Sequence, residues 1–274
     1  MKPQGVTVCV GYDDLLAMSL EKNLPLMREQ WVVTAPNDTK TQALLRGKFP
    51  SVKVVVTDAF TRHGGKFNKG LAMEETFAAM RKGNQPGWVA IWDADIVMRP
   101  TLFSDRYQFD PRMLYGCHRL ILNDPRVYQQ DPAKAWRAAQ PTTDKDIPGY
   151  FQLFNTAAGV LVGQKFWYDP TFGHAGGCDA FFHSLWPSRL KRKLPERVLH
   201  LGPRDKNWFG RVTQRTDGEA TTADGSVEAL SALRRFQGWN EPAKAHAGDE
   251  SVLDRIDVPG VKSKFVWGRS LPPE

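Results

Sequence analysis

Short apolar runs and helix-spaced apolar stripes alternate along the first hundred residues. Val6–Val10 is a β-rich run that stops at Gly11-Tyr12-Asp13-Asp14, and a helical stretch follows over Leu15–Met27. Trp31–Thr34 reads as a second strand, closing in Ala35-Pro36-Asn37-Asp38-Thr39. Helical residues Gln42–Arg46 then lead to a third strand at Val52–Thr57. Across Lys69–Lys82, Met73, Phe77 and Met80 recur on one helix face. Residues 83–87 break that pattern, and Trp88–Trp92 is a fourth strand. The alternation predicts an α/β fold, a mostly parallel central sheet flanked by helices on both faces. Ligands of such sheets bind beyond the carboxyl ends of the strands. The polar tips Tyr12–Asp14, Asn37–Asp38 and Asp93–Asp95 are therefore expected along one edge.

The second half is less regular. Residues 123–149, rich in Asp, Pro, Gln and Lys, read as a long loop or mobile insert. Ala157–Val162 and Arg197–Leu201 read as short strands, with a helix starting at Asp179 and running to Leu185. Composition turns small and polar over 213–225, followed by a helical pattern at Val227–Phe236 and a tail containing Pro259 and Gly260. The expected organisation is a catalytic domain over 1–212, with a donor half over about 1–100 and an acceptor half over about 101–212, and a C-terminal extension over 213–274.

With 274 residues, 41% hydrophobic and 24% charged, the chain has the composition of a globular protein. Its first ten residues carry no signal-peptide cleavage pattern, and no apolar run approaches the ~20 residues of a membrane span. A cytoplasmic protein is the expectation. Three separated cysteines without a Cys-x-x-Cys pair argue against a disulfide framework or a thiolate zinc site. A net charge of +7 favours an anionic partner, whether nucleotide diphosphate, phosphopolymer, nucleic acid or membrane surface.

The sharpest local signal is Trp88-Val-Ala-Ile-Trp-Asp93-Ala-Asp95, an apolar strand running straight into two carboxylates. Hard oxygen donors at a rigid strand end suit Mg²⁺ or Mn²⁺ with a diphosphate completing the coordination. The plain alternative is a solvated strand end or helix cap. Asp144-Lys-Asp146 repeats the spacing, but in a polar loop with no strand before it. Arg62-His-Gly-Gly-Lys66-Phe-Asn68-Lys69-Gly70 opens a helix with paired glycines, which favours an anion, although a solvated basic turn reads equally well. In Gly176-Gly177-Cys178-Asp179 an acid is placed at a helix start, fit for a general base or for a plain N-cap. His200 stands alone in an apolar run, where most histidines are packed. From Arg189 to Arg211, eight Lys/Arg face only Glu196 and Asp205, with Trp208 and Phe209 interleaved. That segment reads as a solvated face, a flap over a diphosphate, or a groove for a polyanion.

Over roughly residues 5–210 the series of an acidic loop after the first strand, Asn37-Asp38 after the second, Phe67-Asn68-Lys69-Gly70 at a helix start and Asp93-Ala-Asp95 resembles a GT-A glycosyltransferase, of the family 2 kind. The resemblance implies a nucleotide-sugar donor, with a UDP-sugar expected, and Mn²⁺ or Mg²⁺. It implies that Tyr12, Asp13 and Asp38 lie near base and ribose, and Lys66 and Asn68 near the nucleotide. Asp95 would be the firmer metal ligand, Asp93 would touch ribose or metal, and His200 would join them. Asp179 would be the base of an inverting transfer. Cys178 departs from the pattern here, since such a base is often preceded by Glu. The expected acceptor is a hydroxyl, with a lean towards a polyanion such as DNA carrying a hydroxylated base. A capsular or cell-surface glycan, a nucleotidyltransferase and a non-catalytic nucleic-acid binder are the alternatives.

Overall fold

The computed structural model of the chain describes residues 1–62, 67–82, 87–144, 147–172, 175–203, 211 and 213–218. The extension expected over 213–274, apart from its first six residues, lies outside these, as do Lys66 and Asp146.

Four parallel strands form the first half of the sheet: β1 (Gln4–Val8), β2 (Glu29–Thr34), β3 (Lys53–Val56) and β4 (Trp88–Trp92), side by side in the order β3-β2-β1-β4. Between them run α1 (Asp13–Asn23), α2 (Thr39–Lys48) and α3 (Lys69–Arg81). Strand β4 shows how the sequence builds two layers. Trp88, Ala90 and Trp92 pack with Leu16, Leu20 and Leu45 of α1 and α2, while Val89 and Ile91 pack with Met73 and Phe77 of α3. Period-2 alternation thus feeds a core on each face, and the expected α/β layering is present.

Beyond β4 the sheet turns mixed. β8 (Phe151–Asn155) runs antiparallel to β4, followed by β6 (Leu114–Leu122) and β9 (Lys191–Leu201), which are parallel to each other, and then by the short β5 (Ile96–Val97). The helix α6 (Ala175–Ser184) covers the α3 face with Cys178 and Phe182.

Several expectations for this half are corrected. Residues 123–149 are not a bare loop: they hold α4 (Pro125–Gln130), α5 (Pro132–Ala138) and the edge strand β7 (Gln140–Pro141). Asp124 and Asp131 cap the two helices through their side chains, each followed by proline at the first helical turn, so the residues that read as breakers are helix starts. Ala157–Val162 is a turn ending in a 3-10 helix at Gly159–Leu161, and the strand lies just before it as β8. Strand β9 begins six residues earlier than expected; Arg192, Pro195 and Arg197 at its exposed positions hid its first half. Strand β6 was hidden by His118 and Arg119 in its middle.

No helix among the described residues is long and apolar enough to cross a membrane.

Candidate active site

Because β1, β2 and β4 are parallel, their carboxyl ends share one edge, and the turns after β1 and β4 meet over a cavity of about 220 Å³. Asp93, Asp95, Asp179, Lys69, Arg119 and His200 all line it, as do Tyr12 and Phe67.

The turn after β4 is held from below by α1. Ser19 Oγ donates to the Ala94 carbonyl at 2.7 Å, and Asn23 uses its amide in both directions, donating to Ile96 O and accepting from Met98 N. These buried bonds fix the backbone on either side of Asp95. Strand β9 then adds the distant residue. Pairing of Ile96 with His200 in the β5–β9 ladder, together with the Leu201 N–H on Asp95 O at 2.8 Å, brings His200 beside Asp95.

The chemistry of that pair is specific. His200 Nδ1 lies 3.0 Å from the Gly202 carbonyl, an acceptor only, so Nδ1 carries the proton. In the neutral ring Nε2 then presents its lone pair, and it faces Asp95 Oδ2 at 3.6 Å. Asp95 Oδ1 is buried without a hydrogen bond. Burial pushes the Asp95 pKa up, with the charge of Asp93 adding to it; only a protonated His200 would pull the other way. A carboxylate with one oxygen beside an oriented imidazole nitrogen and the other without a hydrogen bond suits a divalent cation. Among the described residues no three His, Cys, Asp or Glu side chains form a ready-made metal cluster. The arrangement therefore offers two protein ligands and leaves positions for ligand oxygens.

Asp93 is turned to a different partner. Its Oδ1 accepts from Lys69 Nζ at 3.0 Å, and the same nitrogen donates to Asp179 Oδ2 at 3.0 Å. Lys69 is only 4% exposed. Burial opposes its charge, but Asp179 and Asp93 outweigh burial and raise its pKa. Asp179 is the fifth residue of α6, not its cap or first residue as expected, so it does not meet the free N–H groups of the helix start. Burial pushes its carboxyl up to about 6, with Asp93 adding to the rise and Lys69 opposing it. Its Oδ1 is also buried without a hydrogen bond.

Other candidate residues commit their polar atoms to the protein. Asp38 caps α2 through Thr41 N and accepts from Gly11 N at 2.8 Å and Thr34 Oγ1 at 3.1 Å. Gly11, at φ 74°, makes the turn that allows this. Asn68 caps α3 through Leu71 N and donates to Pro170 O at 2.6 Å. Asp13 is paired with Arg215 at 2.6 and 2.8 Å. None of these three lines the cavity, whereas Tyr12 does, with the Arg211 guanidinium 5.0 Å from its ring centre. The second acid pair contributes Asp144, which accepts from Thr142 and Tyr150 and lies 3.8 Å from Arg119.

Two residues of the site were missed or undervalued in sequence. Lys69 read as one of several basic residues before α3, and Arg119 was not singled out at all. The available signal for Arg119 was an arginine within the apolar run Leu114–Leu122. Its guanidinium stacks over Tyr150 at 4.6 Å and projects its charge onto Asp95.

No protein-family model matches the chain, and no curated protein does. Among solved structures it is similar to glucosyl-3-phosphoglycerate synthase from Mycobacterium tuberculosis, at 12% identity over 75% of this chain and 73% of that one, with a TM-score of 0.45. The same enzyme in complex with Mn²⁺, uridine diphosphate and phosphoglyceric acid matches at 14% identity over 55% of each chain, with a TM-score of 0.34. Mouse xyloside xylosyltransferase 1 in its apo form matches at 13% identity over 57% of this chain and 67% of that one, with a TM-score of 0.32. In the first matches the chain spans about half the length of the solved protein, 52% for a mycobacterial protein. At these identities and scores the likenesses assign no activity to this chain.

Proposed function

We propose that this chain is a metal-dependent glycosyltransferase that moves a sugar from a nucleoside-diphosphate carrier to an acceptor hydroxyl. The observation that carries the reading is the meeting of Asp95 and His200 in the cavity, each with an atom ready to bind a cation. Charge supports it. The described lining holds the carboxylates Asp93, Asp95 and Asp179 against Lys69 and Arg119. Three negative charges against two positive ones repel a diphosphate, and a divalent cation reverses the sign. Bound there, Mn²⁺ or Mg²⁺ would neutralise charge on the departing diphosphate. Asp95 and His200 would hold it, and Asp93, anchored by Lys69, would face the donor ribose or the metal.

Asp179 is the general base of this reading. Raised to about 6, its carboxyl is ionised at neutral pH yet basic enough to share a proton with an acceptor hydroxyl. In-line attack from that side inverts the anomeric centre. Tyr12 would border the nucleoside, and Lys66, Asp13, Asp38 and Asn68 belong to the same resemblance-based assignment. For Asp13, Asp38 and Asn68 the protein contacts described above argue for holding the site rather than touching the donor. A polyanionic acceptor, such as DNA with a hydroxylated base, is supported by Arg189, Arg192 and Arg197, which stand exposed in and just before β9.

The similar synthase from Mycobacterium tuberculosis is described with Mn²⁺ or Mg²⁺ and uridine diphosphate, which makes uridine diphosphate the first carrier to test. The experiment is a panel of nucleotide-sugars with Mn²⁺, scored for nucleotide release, then for transfer to hydroxymethylated DNA and to glycan acceptors. Metal-dependent release abolished by Asp95→Ala is expected. Pyrophosphate release from a nucleoside triphosphate and sugar phosphate would replace the reading with nucleotidyl transfer. Product with retained anomeric configuration would remove Asp179 from its role.

A further inference from the structure

Resting on the glycosyl-transfer reading, we propose that Lys69 and Gly149 are positioning residues that hold the Asp179 carboxylate in fixed register with Asp93. Four segments distant in sequence converge to do this. Lys69 is the first residue of α3, Asp93 follows β4, Gly149 precedes β8 and Asp179 sits in α6. A single buried ammonium holds Asp179 Oδ2 and Asp93 Oδ1, each at 3.0 Å, so these two oxygens lie at most twice that distance apart. The donor side and the acceptor side of the cavity are therefore set in register by one side chain.

Gly149 adds a backbone contact to the clamp. A Cβ built on it would overlap Asp179 Cγ and Oδ2, so only glycine lets the backbone come this near the carboxylate. With Oδ2 held by Lys69, the Gly149 backbone packed against it and the buried Tyr168 hydroxyl favouring the ionised form, the carboxylate is fixed in one orientation. In the proposed transfer the acceptor's O–H proton passes to the Asp179 carboxylate as the oxygen bonds to the anomeric carbon, and the bond from that carbon to the diphosphate breaks with its electron pair leaving on the diphosphate. Lys69 keeps its three protons throughout. A lysine ammonium has three donors. Two of them go to the carboxylates, and both serve placement.

The test compares Lys69→Met, Lys69→Arg, Gly149→Ala and Asp179→Asn with the unchanged protein. Three quantities are read: nucleotide release from the best donor of the nucleotide-sugar panel with Mn²⁺, the Kd for uridine diphosphate with Mn²⁺, and the thermal midpoint. Misplacing a reacting group by about 1 Å costs on the order of 10²-fold in rate. Lys69→Met and Gly149→Ala are thus expected to lower kcat by about that factor, approaching Asp179→Asn, with Kd within about threefold; Lys69→Arg should recover about tenfold of the loss. Wild-type turnover in Lys69→Met overturns the proposal, as does a parallel loss of Kd and kcat, which would make Lys69 a diphosphate ligand or a fold element. If Lys69→Met does not fold, Gly149→Ala decides, and unchanged kcat there overturns the proposal. An unchanged protein inert towards every nucleotide-sugar sinks the underlying reading and this inference with it. Active wild-type protein with indifferent variants sinks this inference alone.

Discussion

Two pairs of acids stand at the carboxyl ends of neighbouring parallel strands, and they have opposite fates. Asp13 and Asp14, after β1, are saturated by protein. Arg215 binds Asp13 through both terminal nitrogens, and Arg211 binds Asp14 in the same manner, with Thr216 adding its N–H and hydroxyl. Asp93 and Asp95, after β4, share one lysine contact and one oriented histidine, and Asp95 keeps a buried oxygen unmatched. Asp14 and Asp95 shift in opposite directions. Burial works against the charge of Asp14, but Arg211 and Thr216 outweigh it and hold the carboxyl below its usual range. Burial and Asp93 push Asp95 above it. A saturated pair ties down chain, here residues 211–216 onto the start of α1. On the reading proposed above, an unsaturated pair in a cavity is kept for a ligand.

The contrast can be broken in several ways, of decreasing size. Asp179→Asn, on the unsaturated side, is expected to cut turnover by about 10²–10⁴-fold while metal-dependent nucleotide binding persists. Steady-state rates with parallel calorimetry check this. On the saturated side, Asp14→Ala leaves the Arg211 charge buried and unpaired, since the two side chains are only 7% and 4% exposed. Denaturant unfolding should show a loss of about 3–5 kcal/mol, with turnover per folded molecule reduced less than about tenfold. Equal losses in rate would place Asp14 with the catalytic acids.

Acid pH separates the pairs again. Asp14, with its folded pKa depressed below 3.8, contributes stability that is full above that value and lost as pH falls through the folded pKa. Asp179 runs the other way. Its folded pKa of about 6 exceeds the ordinary carboxyl value of 3.8, so stability falls as pH rises across that window while the carboxylate becomes ionised. Turnover is expected to drop about tenfold per pH unit below 6, with the fold intact. A flat rate profile from pH 5 to 8 would separate Asp179 from the rate. Smallest is Asp38→Ala, which removes an α2 cap worth about 0.5–2 kcal/mol in thermal unfolding. A tenfold rise in donor KM without that destabilisation would instead return Asp38 to the ribose.

How much of this was legible beforehand depends on range. The parallel half follows from local alternation, and Trp88–Trp92 announced both its two-sided burial and the carboxylates at its end. Asp95 was legible because strand direction puts it at the ligand edge. Its partnership with His200 was open in sequence, since it depends on a two-residue strand pairing across more than a hundred residues. Lys69 was misjudged for the same reason, as its two partners come from β4 and α6. Helices α4 and α5 were lost because Asp-Pro steps read as breaks, although they serve equally as caps. Asp179 was correctly brought to a helix but set at its start, and burial, which local sequence does not show, moves its pKa up where a helix start would have lowered it.

The most direct measurement is calorimetric titration of uridine diphosphate into the protein, with Mn²⁺ and with chelator, for the unchanged chain and for Asp95→Ala. Binding by the unchanged chain only when Mn²⁺ is present, and loss of that dependence in Asp95→Ala with the fold retained, is the predicted result. Binding that ignores the metal, or a variant that keeps the full Mn²⁺ effect, would contradict the assignment of Asp95 and His200 as the cation site.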